Sequence, residues 1–294
     1  MSIKLDWTLP VGQTLDSVVI YRDIAPISIV ALPSPLATLP GNAETFEDTT
    51  AALGKVYYYM VSLVAGPNQS YSSNYEVGHF STTGPGPQDL MRGTWKRGFF
   101  GVVTEAEMFS WAEIKAQCGF TTAHSQSKTN GWLKLAYNGK VLFWPLNFYS
   151  NSMSFKEVYD RGCALGEDTV GTFPPGWSMS GYNTVQNKKI TRDGFEFLVR
   201  LPRQADKTKY YKSFAELGVD EIGDLMPMLT ALAGGGETQA GRENLYDLDA
   251  STPFGLVGGF YSTSYVLVLN SSWATSYGTP TANNYYRPLL EFIP

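Results

Sequence analysis

Apolar and polar residues alternate over short stretches near the start of the chain, and this pattern predicts β-strands. Ile3, Leu5 and Trp7 alternate with polar neighbours, and residues 55–65 read KVYYYMVSLVA. A strand over this second run would place two sets of side chains on opposite faces, Val56, Tyr58, Met60 and Ser62 against Tyr57, Tyr59, Val61 and Leu63. Prolines at positions 26, 33, 35 and 40 exclude a central strand between them. The pattern therefore predicts a small antiparallel two-sheet sandwich over residues 3–82.

The rest of the chain mixes strand-like and helix-like patterns. Residues 132–146 and 188–202 are predicted hairpins that turn at Asn138-Gly139 and Asp193-Gly194, pairs that readily adopt positive φ. The apolar residues of 254–270 and 285–294 predict two further strands, and we expect the carboxyl terminus to pair inside a sheet.

Helix starts are predicted where a hydroxyl residue precedes a glutamate by three positions, because the two side chains can cap each other's backbone N–H. The pairs are Thr104 with Glu107, Ser154 with Glu157, and Ser213 with Glu216. The first predicted helix carries Met108, Trp111, Ile114 and Cys118 on one face and ends at Gly119, and the second runs from Phe155 to Gly162. This part is therefore predicted to be an α+β domain with antiparallel hairpins and three or more short capped helices.

The segment STTGPGPQDL, residues 81–90, separates the two parts. Its alternating Pro and Gly can neither extend a helix nor supply a continuous ladder of N–H donors. The sequence thus predicts domains at 1–86 and 87–294. Charge divides unevenly, because residues 1–88 have a net charge of −4 while the whole chain carries −5. Without a basic field the chain is not expected to bind nucleic acid.

The first ten residues, MSIKLDWTLP, lack the apolar run of a secretory signal, and no run reaches the roughly 18 apolar residues of a membrane span. We therefore expect synthesis in a cytoplasm, no signal peptide and no membrane span. Cys118 and Cys163 are the two cysteines. They are predicted to be buried thiols rather than a disulfide.

Three segments near the start carry a family resemblance: LDWTLP, SVVIYRD and AETFEDTTAALGKVYYYMVSLVAG. They resemble the second strand with its core Trp, the third strand, and the fifth strand, turn and sixth strand of a fibronectin type III module, an immunoglobulin-like sandwich. In this resemblance Leu53 and Tyr57 match the tyrosine corner, whose phenol hydroxyl bonds to backbone a few residues upstream. The Trp-bearing strand begins at residue 3, so the resemblance implies an open sheet edge with Ile3, Leu5 and Leu9 as candidate assembly residues.

Groups suited to catalysis are few. His79 and His124 are the only imidazoles, and a serine or cysteine hydrolase would need one of them. Cys118 could pair with His124, but its place on a predicted apolar face favours a buried thiol. His79 is expected to be a surface or interface residue. The paired carboxylates of a glycoside hydrolase meet only in the folded protein and have no characteristic spacing in sequence. A glycoside hydrolase therefore stays an open alternative. The sequence favours a protein with no catalytic residue.

Metal and cofactor motifs are equally sparse. Cysteine and histidine at 79, 118, 124 and 163 lack the paired spacing of a zinc site. Asp247 and Asp249 could place two carboxylates on one side of a calcium-binding loop. The glycine and the later ligands of an EF-hand are missing, which favours a turn or a helix cap. The triple glycine of AGGGETQAG has no Lys-Ser or Lys-Thr after it, so no phosphate loop is predicted. We expect no metal and no cofactor.

Tryptophan and tyrosine are dense in two turn-rich segments, 172–183 and 270–286. Rings among Ser, Asn and Gly are typical of adaptable binding surfaces, and local turn packing is an equally good explanation. The candidate contacts to a partner or a glycan are Trp177, Tyr182, Trp273, Tyr277 and Tyr285.

A second resemblance rests on the succession WLKLAYNGKVLFWPLNF, SFKEVYDRGCALGEDT and DGFEFLVRLPR, and on the ending YYRPLLEFIP. This order of hairpin, capped helix and strand resembles virion structural and tail-associated proteins of tailed bacteriophages. The resemblance implies a non-enzymatic virion component, in capsid decoration, tail, baseplate or fibre, that acts in assembly and host adsorption. Its partners would be other virion proteins in a homo-oligomeric or multi-copy assembly, with a host-surface glycan as a further candidate. The alternative is a glycan-binding or glycan-cleaving module that uses the loop aromatics.

Overall fold

The computed structural model describes residues 2–125, 131–177, 180–203, 255–262, 265–269 and 275–294. The chain divides into two compact units, Met1–Thr82 and Thr83–Pro294. In the described ranges both units are mostly β-sheet, and the strand pairs are antiparallel. The prediction of a strand-rich chain with antiparallel pairing is confirmed. No helix within these ranges is long and apolar enough to cross a membrane.

The described strands of the first unit are, in chain order, β1 Ile3–Asp6, β2 Ser17–Asp23, β3 Pro35–Pro40, β4 Thr45–Asp48, β5 Lys55–Ala65, β6 Asn68–Tyr71 and β7 Tyr75–His79. β1 pairs with β4 in a two-stranded sheet. The second sheet has the order β3-β2-β5, and β6 and β7 follow one another along the edge of β5 opposite β2. β3 begins and ends with proline and pairs with β2 as an edge strand, which agrees with the exclusion of proline from central strands.

Side chains that alternate along β5 divide between two apolar clusters. Tyr57 and Tyr59 pack with Ile3 and Leu5 of β1 between the two sheets. Met60 belongs to a separate cluster on the opposite face of the same sheet, which Val19, Tyr21 and Ile27 complete. The two predicted faces of this strand are therefore confirmed, and each has its own set of apolar neighbours.

The described elements of the second unit are β8 Arg92–Gly93, β9 Arg97–Val103, α1 Trp111–Cys118, β10 Trp132–Tyr137, β11 Lys140–Pro145, β12 Ser150–Met153, α2 Phe155–Asp160, β13 Lys189–Arg192, β14 Phe195–Arg200, β15 Gly255–Ser262, β16 Tyr265–Leu269, β17 Thr275–Gly278, β18 Asn284–Tyr286 and β19 Leu289–Ile293. A seven-stranded sheet has the order β13-β14-β19-β11-β10-β9-β8. Smaller sheets join β12 to β18 and β15 to β16 and β17. The terminal strand β19 pairs on both sides, as predicted.

Both predicted hairpin turns form. Asn138 has φ +48° and Asp193 has φ +51°, and the glycine that follows each residue has positive φ as well. Two successive residues with positive φ give the type I′ turn, whose twist matches that of the flanking strands. The hairpins β10–β11 and β13–β14 follow from these turns.

The helix starts agree with the predictions only in part. Thr104 and Glu107 make the expected side-chain contact, but only a turn follows, so the helix start predicted there is wrong. α1 begins at Trp111 instead, and Ser110 and Glu113 form its capping box. The reason is that a hydroxyl–glutamate contact fixes one turn of backbone and does not require a second turn. α1 ends at Gly119 as predicted.

α2 begins after Ser154, as predicted, and ends at Asp160, before the expected Gly162. Its Glu157 carboxylate accepts hydrogen bonds from Thr121 and Thr122, so it anchors a preceding loop rather than closing a capping box. The third predicted pair, Ser213 and Glu216, lies outside the described residues. The described part of the second unit thus has two α-helices where the sequence predicted at least three in the whole domain.

Most of the Gly-Pro segment predicted to separate the domains, residues 83–90, belongs to the second unit. Lys134 of β10 donates from Nζ to Thr83 Oγ1 at 2.7 Å and to the carbonyls of Pro85 and Pro87 at 2.8 and 2.6 Å. The unit boundary lies between Thr82 and Thr83 rather than at residue 86. The buried ammonium holds this segment against the sheet, an effect that composition could not reveal.

Candidate functional site

The outer edge of β1 has no backbone partner among the described residues. The Trp7 N–H donates to the Glu44 carbonyl at 3.0 Å, and hydrogen-bonded pairs alternate along an antiparallel ladder. In the β1–β4 register, residues 3, 5 and 7 therefore direct their backbone groups at β4. Lys4 and Asp6 direct their N–H and C=O groups to the opposite side. This side of the strand can accept another strand.

A groove of about 570 Å³ opens beside this edge. β1 and the residues after it form one wall, residues 70–75 form the other, and β5 provides the floor. The lining residues are Lys4, Leu5, Asp6, Trp7, Thr8, Tyr59, Val61, Leu63, Ser70, Tyr71, Ser72, Ser73 and Tyr75. Trp7, Val61 and Leu63 are only half-buried. The groove thus exposes apolar surface of the sandwich interior below a rim of hydroxyl groups.

Ser72 closes the far wall of the groove. Its backbone N–H donates to the Val61 carbonyl at 2.8 Å, and its hydroxyl accepts from the Val61 N–H at 3.0 Å. The serine therefore supplies partners for the backbone N–H and C=O of Val61 on β5, in the gap between the end of β6 and the start of β7. It follows that β5 offers no free groups at Val61, and that strand pairing in the groove has to take place at β1.

A buried polar network links the two sheets next to the groove. The Asp48 carboxylate, 1% exposed, accepts from the Tyr59 hydroxyl at 2.7 Å, from Arg22 at 2.6 Å and from the Thr50 hydroxyl and N–H at 2.7 and 2.8 Å. Burial alone would raise the pKa of Asp48, but the hydrogen bonds from Tyr59, Thr50 and Arg22 lower it to about 2. Burial and the neighbouring carboxylate raise the pKa of Tyr59. At neutral pH the Asp48 carboxylate is ionised and all of these hydrogen bonds are made. The network is therefore a rigid support for the floor of the groove.

Two of the three sequence-predicted edge residues, Ile3 and Leu5, lie on β1, but their side chains face inward. Ile3 and Leu5 are each 5% exposed and belong to the core between the sheets. Leu9 lies beyond the end of β1 and is half-buried against the same core. The exposed groups of the edge are instead the backbones of Lys4 and Asp6. Once one hydrogen bond to β4 is known, the alternation along β1 shows which residues direct their backbone groups away from β4.

The predicted aromatic contacts whose side chains the structure describes pack internally and do not form one common surface. Trp177 and Tyr182 pack edge-to-face at 6.1 Å, and both lie against the core of the second unit. Tyr285 packs on Phe148 at 4.9 Å. Tyr277 lies in β17, of which only the backbone is described, and Trp273 lies outside the described residues. Internal packing takes up much of the described ring surface.

Reactive groups are dispersed as well. Cys118 and Cys163 are free and buried, which confirms the prediction of two thiols, and burial raises the pKa of Cys163. His124 is exposed and packs on Tyr149, while His79 is 4% exposed with Nδ1 3.3 Å from the Ala52 carbonyl. Within the described ranges no three His, Cys, Asp or Glu side chains meet as a potential metal site. Asp247 and Asp249 lie outside those ranges.

Sequence reasoning missed Lys134 and the residues of the groove. Lys134 is a charged residue in an apolar run, WLKLAY, and this interruption was the available signal. Burial lowers its pKa to about 7 and Glu107 acts in the opposite direction, while its contacts with the Gly-Pro segment stabilise the ammonium form. Val61 and Ser72 become neighbours only through the pairing of β5 with the chain after β6, which no local pattern indicates.

Comparison of the chain with protein-family models, with curated proteins and with solved structures finds no match.

Proposed function

We propose that this chain is a non-enzymatic structural component of a bacteriophage particle, and that its first unit docks on a neighbouring protein. The observation that carries the proposal is the edge of β1 that has no strand partner within the described ranges, beside a groove that exposes apolar core. Proteins cover such an edge or use it for association, since unpaired backbone groups next to apolar surface favour strand pairing. Binding, rather than catalysis, is the activity that this geometry supports.

The first unit is proposed to be a fibronectin type III-like module. In immunoglobulin-like sandwiches the second strand shares a sheet with the fifth, and the third strand shares the other sheet with the sixth. β1 pairs with β4 and β2 pairs with β5, which supports this assignment of LDWTLP, SVVIYRD and the later segments. The Ala52 N–H donates to the Tyr57 hydroxyl at 3.0 Å, as a tyrosine corner requires.

The second unit is proposed to be an α+β virion-protein domain. The succession β10–β11, α2 and β13–β14 supports the resemblance to tail-associated and other virion structural proteins, because these are the hairpin, capped helix and strand on which it rests. The chain would be made in the host cytoplasm and would function in the particle, among other virion proteins and in several copies.

The test is the presence of the chain in particles. Particles purified on a density gradient from cells that produce the protein should contain it in several copies, as quantified by mass spectrometry. The purified full chain should also form oligomers or bind those particles in sedimentation assays. Its absence from particles, together with a monomeric state and no particle binding, would overturn the proposal.

Glycan binding by the loop aromatics is an outcome of the same test. The packing of Trp177 and Tyr182 against the core of the second unit argues against a flat sugar platform at these residues. Saturable binding of an oligosaccharide by the monomeric chain, lost in Trp177→Ala, would favour the glycan module instead.

A further inference from the structure

We infer that the groove of the first unit takes an extended segment of another protein chain, which adds as a strand to the open edge of β1. The inference rests on the proposed assembly function and specifies the mode and the chemistry of the contact. The bound segment would alternate apolar and small polar residues and carry Lys or Arg at its ends.

Backbone geometry argues for a strand rather than a compact ligand. Lys4 and Asp6 direct their N–H and C=O groups away from β4, and these groups have the spacing of a strand partner. A segment of about six residues covers residues 3–8 at about 3.3 Å per residue. Every second side chain of that segment then points between the two sheets, so about three side chains enter the groove.

The floor of the groove indicates what those side chains should be. Val61 and Leu63 of the floor, with Leu5 and Trp7 of the adjoining wall, supply the apolar surface, and the groove of about 570 Å³ is wide enough for a few aliphatic groups. The Trp7 indole N–H donates to the Ala43 carbonyl at 2.8 Å, so the ring is held in place and presents apolar surface. Valine, isoleucine or leucine at alternate positions fits this floor.

The net charge of the first unit indicates which residues the bound segment should carry at its ends. The first unit has a net charge of −4, and its Arg22 is already paired with Asp48. Lys4 is paired with Asp6 at 3.1 Å, while Glu47 lies on the neighbouring strand β4 and Glu44 directly precedes it. A second copy of this acidic unit would be repelled, whereas a segment with basic ends would be attracted. Hydroxyl groups of Ser70 and Ser73 at the rim match small polar residues on the outer face of the segment.

The experiment uses the full chain and a synthetic peptide, acetyl-Lys-Thr-Val-Thr-Val-Thr-Val-Lys-amide. Amide hydrogen exchange is followed by NMR without and with saturating peptide. In the free chain the amides of Lys4 and Asp6 should exchange rapidly, and the peptide should slow them by about tenfold or more. The amides of Leu5 and Trp7, which face β4, should change little. Peptides with Glu ends, or with proline at the central threonine, should bind at least about fivefold more weakly.

Two matched variants test the backbone contact. Asp6→Pro removes the outward N–H and is tolerable because that group has no partner within the described residues, whereas Asp6→Ala removes the same carboxylate and keeps the N–H. Affinity for the peptide should fall by about tenfold in Asp6→Pro and by no more than about twofold in Asp6→Ala. Val61→Gln, on the floor, should also weaken binding while leaving β1 intact.

The outcomes separate the two proposals. Equal peptide affinity in Asp6→Pro and Asp6→Ala, amides of Lys4 and Asp6 that are already protected in the free chain, or an oligosaccharide that binds the groove in place of the peptide would overturn strand addition. If the chain enters particles and Asp6→Pro enters them equally well, the assembly role stands and strand addition is wrong. If the peptide binds as expected but the chain is absent from particles, strand addition stands and the virion role is wrong.

Discussion

Individual buried polar residues organise both units. Asp48 accepts hydrogen bonds from three side chains on two other elements and on the loop that follows β4. Lys134 plays the equivalent part in the second unit, because its ammonium binds a segment that has few apolar groups of its own. Each residue is buried only because its partners satisfy it, so removal of one partner leaves the others uncompensated.

Asp48→Asn should lower the free energy of unfolding of the first unit by roughly 2 to 3 kcal/mol at pH 7, because charged hydrogen bonds to Arg22 and Tyr59 are weakened. The pKa of Asp48 is depressed from 3.8 to about 2. Its ionised form therefore stabilises the fold fully above pH 3.8, and the contribution is lost as the pH falls towards 2. Urea denaturation at several pH values measures this.

The difference in stability between wild type and Asp48→Asn should accordingly shrink between pH 3.8 and pH 2. Glu44→Gln, at an exposed position on the same side of the sandwich, is the control and should change stability by less than about 0.5 kcal/mol. A difference in stability that stays constant down to pH 2 would show that folding does not lower the pKa of Asp48.

At the scale of elements, capping and turn chemistry explain where strands and helices end. Asn138-Gly139 and Asp193-Gly194 form hairpin turns in which both residues have positive φ. Two hydroxyl–glutamate pairs lie six positions apart near the start of α1, Thr104 with Glu107 and Ser110 with Glu113, and only the second caps a helix. In both places the Glu carboxylate accepts from the N–H and the hydroxyl of the residue three positions before it. Only Ser110 Oγ also accepts from the Glu113 N–H, whereas the Glu107 N–H donates to the Thr104 carbonyl, so only the second capping box is complete.

Ser110→Ala should destabilise the second unit by about 1 kcal/mol, because it removes an N-cap from a helix whose N–H groups need an acceptor. Thr104→Ala removes the same type of contact from a single turn and should have a clearly smaller effect. Chemical denaturation of the two variants measures the difference. An effect of Thr104→Ala as large as that of Ser110→Ala would mean that the turn, and not the helix, depends on its cap.

At the scale of the whole molecule, the chain has two compact units with separate cores. The core of the first unit lies between its sheets, around Tyr57 and Tyr59. The core of the second unit collects apolar residues from its sheet and both described helices, such as Trp132, Trp111 and Phe155. Because no described residue belongs to both cores, each unit has its own source of stability.

We expect two thermal transitions in calorimetry of the full chain. Asp48→Asn should lower the temperature of one transition, and Lys134→Met should lower that of the other. Lys134→Met should reduce the free energy of unfolding of the second unit by about 3 kcal/mol, because it leaves buried carbonyls without their donor. Lys189→Met, which removes an exposed ion pair with Glu196, is the control and should change stability by about 1 kcal/mol or less. Variants that shift both transitions equally would contradict the assignment of one core to each unit.

The sequence by itself determined the local elements of this protein. Alternation identified β5 and its two faces, positive-φ residue pairs identified the hairpins, and Gly119 marked the end of α1, since each of these signals acts over a few neighbouring residues. Only the tertiary structure decided that Lys134 holds the Gly-Pro segment, that a turn follows Thr104, and that Val61 lies beside Ser72 in the groove. These features depend on contacts between residues distant in sequence, and their energy comes from burial and hydrogen bonds that exist only once the strands have paired.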